Sequence, residues 1–370
     1  MNKIRLSKST IGPEEKNAVM SVLDKEYLGM GEEVKNFEND IKKYLQTSKE
    51  VICVSTGTSA LHLAIEALDL RSEDEILVPS LTYIASYQAI SGANVKPVSV
   101  DVCEDTLFIN LKDAKKRLTQ NTKAILAVHY ASSSKGMNKV YEFAQENNLR
   151  VIEDAAQAFG CIRDGKKIGV DGDIICFSFD GIKNITSGEG GAILTSDERV
   201  IQRVKDTRLL GVEKDTERRY EGQRSWDFDV KYQGYRYHMS NIFAAIGIAQ
   251  LKKIDKIEKT RKIIVNYYLE NLKDINELSI LNFDYNEIIS HIFVIKTNKR
   301  DKLREYLLSK NIECGIHYKP NHMLTKYKTE YSLPIVEKVY EQILTLPCQL
   351  DLTQEEQEFV VKTIKDFFNE

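Results

Sequence analysis

The chain is short of the features that mark several common protein classes. No two of its cysteines form a Cys-x-x-Cys pair, and it has six prolines and one tryptophan in 370 residues. So few prolines leave no Pro-rich linker. Cys53, Cys103, Cys161, Cys176, Cys314 and Cys348 are scattered, several inside apolar runs. They read as buried free thiols, not as zinc ligands or a disulfide framework. No run approaches the ~20 apolar residues that cross a bilayer. Met1 to Leu6 lacks a signal-peptide apolar stretch, so a cytoplasmic protein without a membrane partner is expected. A net charge of only -3 implies no broad attraction to nucleic acid. No Gly-x-Gly-x-x-Gly follows a strand-like run, and there is no Walker-type phosphate loop.

What is present is a 42% hydrophobic, 29% charged chain. That is enough core for one large domain and a smaller one. Pro13 suits the first turn of a helix carrying Val19, Val22, Leu23 and Tyr27, which Gly29 ends. A second helix is predicted over Glu32–Leu45. Apolar runs at Val51–Ser55, Glu75–Val78, Val95–Val102, Lys123–His129, Leu149–Glu153 and Ile174–Phe179 read as buried strands. Helical spacing separates several of them, at Leu61, Ile65 and Leu68, and at Val140, Phe143 and Ala144. This alternation predicts an α/β fold, a mainly parallel sheet covered on both faces. Ligands of such sheets bind outside the carboxyl ends of the strands. Thr207–Tyr232 reads as an exposed loop, an interface or a lid. Ile242, Ala245, Ile246 and Ala249 mark a helix after it. Beyond Lys252 the pattern changes to a charged helix (Lys253–Leu272), an alternating stretch around Ser290–Lys296 and a helix over Asp301–Ser309. Thr353 and Glu356 form a capping-box pattern. The expected division is a large domain over 1–250 and a small α+β domain over 251–370.

Four features fall at predicted strand ends. Thr56-Gly57-Thr58-Ser59 joins a strand to a helix, which presents backbone N–H groups to an anion, though an ordinary helix cap has the same composition. Tyr83 lies in an exit loop. Asp154 follows a strand, as a half-buried carboxylate or a helix cap. Lys183 lies four residues beyond a buried strand, before Gly188-Glu189-Gly190-Gly191. A lysine desolvated there has a lowered pKa and an amine free for imine chemistry. Pyridoxal phosphate requires all four: an anion site, an aromatic over its ring, a carboxylate at its pyridine nitrogen and an amine for its aldehyde.

The motifs resemble the nucleotide-sugar aminotransferases of the DegT/DnrJ/StrS type, within the aspartate aminotransferase fold. The stretches carrying the likeness are Ser55–Ala64, Pro79–Tyr83, Glu153–Ala158, Ser178 through Lys183 to Gly191, Gly315–Tyr318 and Leu344–Pro347. The resemblance implies fold type I, a three-layer αβα large domain and a small C-terminal domain. It implies that Lys183 carries the cofactor and moves a proton, that Asp154 pairs with the pyridine nitrogen and that Gln157 contacts the ring hydroxyl. Gly57, Thr58 and Ser178 would hold the phosphate, and Tyr83 would cover the ring. His317, Tyr318, His322 and Asp180 are candidate substrate contacts. The implied partners are L-glutamate, a nucleotide-linked keto sugar and a second copy of the chain in a homodimer with shared active sites. Where the family often has Asn-Tyr-Arg, whose asparagine reaches the neighbouring subunit's cofactor phosphate, this chain has Arg236-Tyr237-His238, and Arg236 is the cofactor-binding candidate for that contact. Asp180 replaces a frequent histidine or aromatic. Arg236–Asn241 is similar to members acting at C4, so dTDP-4-keto-6-deoxyglucose, in surface polysaccharide or glycan synthesis, is the first expectation. C3-acting or GDP- and UDP-linked activity, and a cofactor-binding regulator without turnover, are the alternatives. Retention of Lys183 argues against the dehydrating subgroup, which has histidine there.

Overall fold

A computed structural model describes residues 3–369. Helices α1 (Pro13–Asp24) and α2 (Glu32–Leu45) precede β1 (Glu50–Val54) and α3 (Gly57–Glu66). Strands and helices then alternate through β2 (Glu75–Pro79), α4 (Ile84–Gly92), β3 (Lys96–Val100), α5 (Leu111–Arg117), β4 (Thr122–Val128), α6 (Met137–Glu146) and β5 (Arg150–Asp154). A small hairpin, β6 (Ile162–Arg163) and β7 (Lys166–Lys167), leads to β8 (Ile174–Ser178) and β9 (Gly191–Thr195). Helices α7 (Glu198–Thr207), α8 (Asp215–Tyr220) and α9 (Asn241–Leu251) follow.

Among the described residues, seven strands form one sheet in the order β1-β9-β8-β5-β4-β2-β3. β9 pairs antiparallel with both β1 and β8. The other pairs are parallel. Strand side chains alternate between faces, and here both faces are buried. Val51, Cys53, Ile175 and Phe177 pack under α2 and α9, while Ile52, Val54, Ile174 and Cys176 pack under α3, α4 and α7. The result is three layers, αβα.

The remaining elements are α10 (Ile254–Leu272), β10 (Ser279–Ile280), β11 (Phe293–Lys296), α11 (Arg300–Ser309), α12 (Pro334–Tyr340), β12 (Ile343–Leu346) and α13 (Gln354–Asn369). β10, β11 and β12 form an antiparallel sheet. Phe293 and Ile295 face α10, α11 and α13, whereas Val294 and Ile343 pack against Leu81, Val102 and Tyr130 of the large sheet's loops. The capping box forms, with the Thr353 N–H donating to Glu356 and the Glu356 N–H donating to the Thr353 hydroxyl. The start of the chain also lies on this smaller body. Ile4 bridges Ile312, the Leu6 N–H donates to Glu313, and Lys8 pairs with Asp351.

The expected exposed loop over Thr207–Tyr232 is corrected at its start. Arg208 is fully buried and Asp215–Tyr220 is helical. The Arg208 guanidinium donates to Glu38 Oε1 at 2.8 Å, to the Cys53 carbonyl at 2.6 Å and to the Tyr220 hydroxyl at 2.8 Å. Tyr220 in turn donates to the second Glu38 oxygen. A charge run is usually a solvated face, but here Glu38, 170 residues away in sequence, lets the arginine go inside. Only the outer part of the segment is open, with Trp226 86% exposed. Removing one partner of a buried ion pair strands the other's charge. Glu38→Ala is therefore expected to cost about 3–5 kcal/mol of unfolding free energy, read as a lower urea midpoint. Trp226→Ala should change stability by no more than about 0.5 kcal/mol.

Candidate active site

The carboxyl ends of β1, β2, β4, β5 and β8 open on one edge of the sheet, and the predicted site residues come from the loops beyond them. β1 runs into α3 through Thr56. The Thr56 hydroxyl accepts from the Ser59 N–H at 2.9 Å and caps the helix. The N–H groups of Gly57 and Thr58, at the first two positions of a ten-residue helix, have no acceptor among the described residues. Ser178, at the end of β8, closes over this turn. A Cβ at Gly57 would lie 2.7 Å from the Ser178 Cβ, and one at Gly191 would lie 2.4 Å from the Thr56 carbonyl oxygen. The two glycines are thus required by close backbone approach. The Ser178 hydroxyl accepts a long 3.4 Å bond from the Asp180 N–H, so its own proton is free to donate. Two idle N–H groups, a positive helix end and the Ser178 and Thr58 hydroxyls form an anion cradle.

Asp154 terminates β5 and is 6% exposed. Ser86 donates to its Oδ2 at 2.7 Å and the Ala156 N–H to its Oδ1 at 3.2 Å. Both donors are neutral, and no cation pairs with the carboxylate among the described residues. Burial accordingly raises its pKa, against those hydrogen bonds and the nearby Lys183. A protonated ring nitrogen is the complement that this carboxylate lacks. Ser86 is a residue that sequence reading missed. Its one signal is a serine in the first turn of the helix after Tyr83, where Thr82 also meets it at 2.8 Å.

Lys183 is half-buried in the turn after β8. Its backbone N–H donates to the Asp180 carbonyl at 3.1 Å. Its amine has no hydrogen-bond or ion-pair partner among the described residues. Burial lowers its pKa, while Asp154 and Asp180 oppose the shift. Asn184 anchors the turn from below, donating to the carbonyls of Phe159 and Ile289 at 3.0 Å each.

Gln157 is tied at both ends of its amide. Its Oε1 accepts from the Ala131 N–H at 2.8 Å and its Nε2 donates to the Tyr318 hydroxyl at 2.9 Å. One N–H of Nε2 is left for a ligand. Tyr83, 58% exposed, faces Tyr318 with ring centroids 5.6 Å apart. His317 is held by Thr345 at 2.7 Å through Nδ1 and by Tyr130, whose hydroxyl donates to its carbonyl. The structure commits one candidate, His322, elsewhere. His322 is buried, with Nδ1 on Ser80 at 2.7 Å and Nε2 on Glu337 at 3.2 Å, so both ring nitrogens serve to hold its loop. Arg236 is exposed and its side chain meets no partner among the described residues. Its strand passes beside the anion turn, where the Ser55 N–H donates to the Tyr237 carbonyl at 2.6 Å.

An amine without a partner, a buried carboxylate without a cation and an empty-handed helix end meet at one sheet edge, and these fit pyridoxal phosphate. A family model described as the DegT/DnrJ/EryC1/StrS aminotransferase family matches residues 9–365. The chain belongs to that family. As an aminotransferase of this family, it is a pyridoxal-phosphate-dependent sugar aminotransferase of fold type I. It is 33% identical to GDP-perosamine synthase of Escherichia coli O157:H7, covering 100% of both chains. Among solved structures, it is similar to the aminotransferase TlmJ from Streptoalloteichus hindustanus, with a TM-score of 0.91 and 26% identity over 99% of this chain and 98% of that one. The sugar aminotransferase CalS13 from Micromonospora echinospora gives a TM-score of 0.90 at 26% identity, covering 98% of this chain and 99% of that one.

The fold holds three histidines toward their neutral forms, His317 and His291 near Lys183 and His238 near Arg236. Burial, then Lys183, lowers His317 from 6.5 to about 4. Burial, then Arg236, does the same to His238, to about 4. Burial, then Lys183, also holds His291 well below the ordinary imidazole range. The folded state therefore binds fewer protons than the unfolded chain between about pH 4 and 6.5. Their contribution to stability is complete above 6.5 and is lost as pH falls toward about 4. The urea midpoint should drop from pH 7 to pH 5, and His317→Gln should drop less over the same interval.

Proposed function

We propose that the chain transfers the amino group of L-glutamate to C4 of a nucleotide-linked 4-keto-6-deoxyhexose. The observation that carries this reading is the meeting of the unpartnered Lys183 amine, the cation-free Asp154 and the idle α3 N-terminus in one family fold. Pyridoxal phosphate, when bound, supplies the electron sink for the bond changes at the substrate carbon. The chain's residues do the rest. The Gly57 and Thr58 N–H groups and the Thr58 and Ser178 hydroxyls bind phosphate oxygens. Asp154 holds a proton on the ring nitrogen, and its own ionised form is favoured when that cation arrives. Gln157 has one N–H for the ring hydroxyl, and Tyr83 covers the ring. Lys183 Nζ takes a proton from the amino-bearing carbon of the donor and returns one to the acceptor sugar, a task that a lowered pKa suits. Tyr318, His317 and Asp180 line the substrate side.

The name of the relative GDP-perosamine synthase supports GDP as the first nucleotide to test. The likeness of Arg236–Asn241 to C4-acting members keeps dTDP-4-keto-6-deoxyglucose second. Arg236, exposed and without a partner among the described residues, is suited to the cofactor phosphate of a partner copy in a homodimer.

The test is incubation with pyridoxal phosphate, L-glutamate and a panel of GDP-, dTDP- and UDP-linked keto sugars. Stoichiometric 2-oxoglutarate and an amino sugar are expected with one of them, and release with none overturns the reading. Lys183→Ala should reduce turnover by at least about a thousandfold, as loss of both amine and proton carrier requires. Thr58→Ala should weaken cofactor retention about tenfold, the scale of one hydrogen bond to a charged group.

A further inference from the structure

A small cavity of about 30 Å³ lies behind Ile182, the residue before Lys183. Arg261, His291, His317, Thr345, Gln349 and Lys8 are among its lining, which includes no aspartate or glutamate. Arg261 projects from α10 and is 5% exposed. Buried arginines are ordinarily paired, yet this one has no carboxylate partner among the described residues. It donates through Nη1 to the His291 carbonyl at 3.1 Å and to the Cys348 carbonyl. Its Nε–H is buried with no acceptor. His291, 6% exposed, has a buried Nδ1 that also lacks a partner. Thr345 occupies His317 Nδ1, which leaves Nε2 without a partner among the described residues. Arg261, His291 and His317, with one positive charge that no carboxylate balances among the described residues, therefore line a space with room for more than one water-sized group, each of which needs ~10–15 Å³.

The charges that bear on Lys183 divide the surroundings. Asp154 and Asp180 are anionic, and a carboxylate beside them would be repelled. The cavity side is the one that accepts negative charge. We infer that this cavity is the carboxylate subsite for the amino donor, with Arg261, His291 and His317 as its ligands. The inference rests on the aminotransferase reading above and names the residues that select the donor. An incoming carboxylate would accept hydrogen bonds from the Arg261 guanidinium and favour a protonated ring nitrogen on each imidazole. It would also neutralise a buried positive charge that has no carboxylate partner among the described residues.

The probe is glutarate, a dicarboxylate with no amine, titrated by calorimetry into the cofactor-loaded protein. His291→Phe closes the cavity and removes one ligand. Arg261→Met keeps the volume and removes the charge. Each should weaken glutarate binding about tenfold or more. Single-turnover measurements then separate the two halves of the reaction. 2-Oxoglutarate formation from L-glutamate should slow by a similar factor, while amination of the keto sugar by preloaded amino-form enzyme should change less than about twofold. L-Glutamine as donor decides which carboxylate is held. Equal slowing of both donors assigns the α-carboxylate, and slowing of L-glutamate alone assigns the side-chain carboxylate. Undiminished glutarate binding in His291→Phe overturns the inference, as does parallel loss of both half-reactions or a crystal with glutarate in which only water fills the cavity. Should Arg261→Met fail to fold, His291→Phe and His317→Gln still decide it. Glutarate binding is read whether or not any keto sugar is aminated, so failure of the functional reading and failure of this one are distinguishable.

Discussion

A carboxylate and an amine share the buried edge of the sheet, and each restrains the shift that burial imposes on the other. Asp154 is driven toward its neutral form and Lys183 toward its free amine by the same loss of water. Opposite charges at that edge then pull both back. Neither group has a dedicated ion-pair partner among the described residues, so neither is locked in one state. On the proposed reading, a site that holds a proton on one ring atom and moves another at carbon needs this poise. Most of what surrounds the pair can be read as support for it. Ser86 aims Asp154, Asn184 fixes the turn of Lys183, and the parallel strands deliver both to the same edge.

Support of this kind extends below the site. Directly behind Asp154, Glu153 points to the other face of β5 and is fully buried. It accepts from His129 at 2.7 Å, Arg163 at 2.8 Å and Tyr141 at 2.7 Å. Such networks are costly when partly satisfied and rigid when complete. The Arg208–Glu38–Tyr220 cluster does similar work beneath β1, at the base of the segment that carries Arg236. Two fully desolvated charge clusters thus flank the catalytic edge, and both sit where strand ends must not drift.

The smaller body contributes by contact. The Gly315 and Thr345 backbones bridge, which carries His317 and Tyr318 toward Gln157. The Ser9 hydroxyl donates to the Gly181 carbonyl at 2.6 Å, so the first residues of the chain also brace the lysine turn. Donor recognition by Arg261, His291 and His317 would draw on this same junction, where groups from distant parts of the sequence are brought together.

Local chemistry in the amino-acid sequence determined a good deal by itself. Apolar runs with glycine and hydroxyl residues at their ends specified the strands, the anion turn at Gly57 and the lysine turn at 183. The spacing of Glu32–Leu45 specified a helix with its observed bounds. These are signals a residue shares with its immediate neighbours, through period, capping and turn preference. Burial of charge is not such a signal. Nothing near Arg208 announces Glu38, and nothing near Arg261 announces a cavity beside residue 182, because the partner that makes burial tolerable is supplied across the fold. His322 shows the same limit from the other side. Its motif pointed to substrate, and only the packing of Ser80 and Glu337 against both ring nitrogens showed that its hydrogen bonds were already committed.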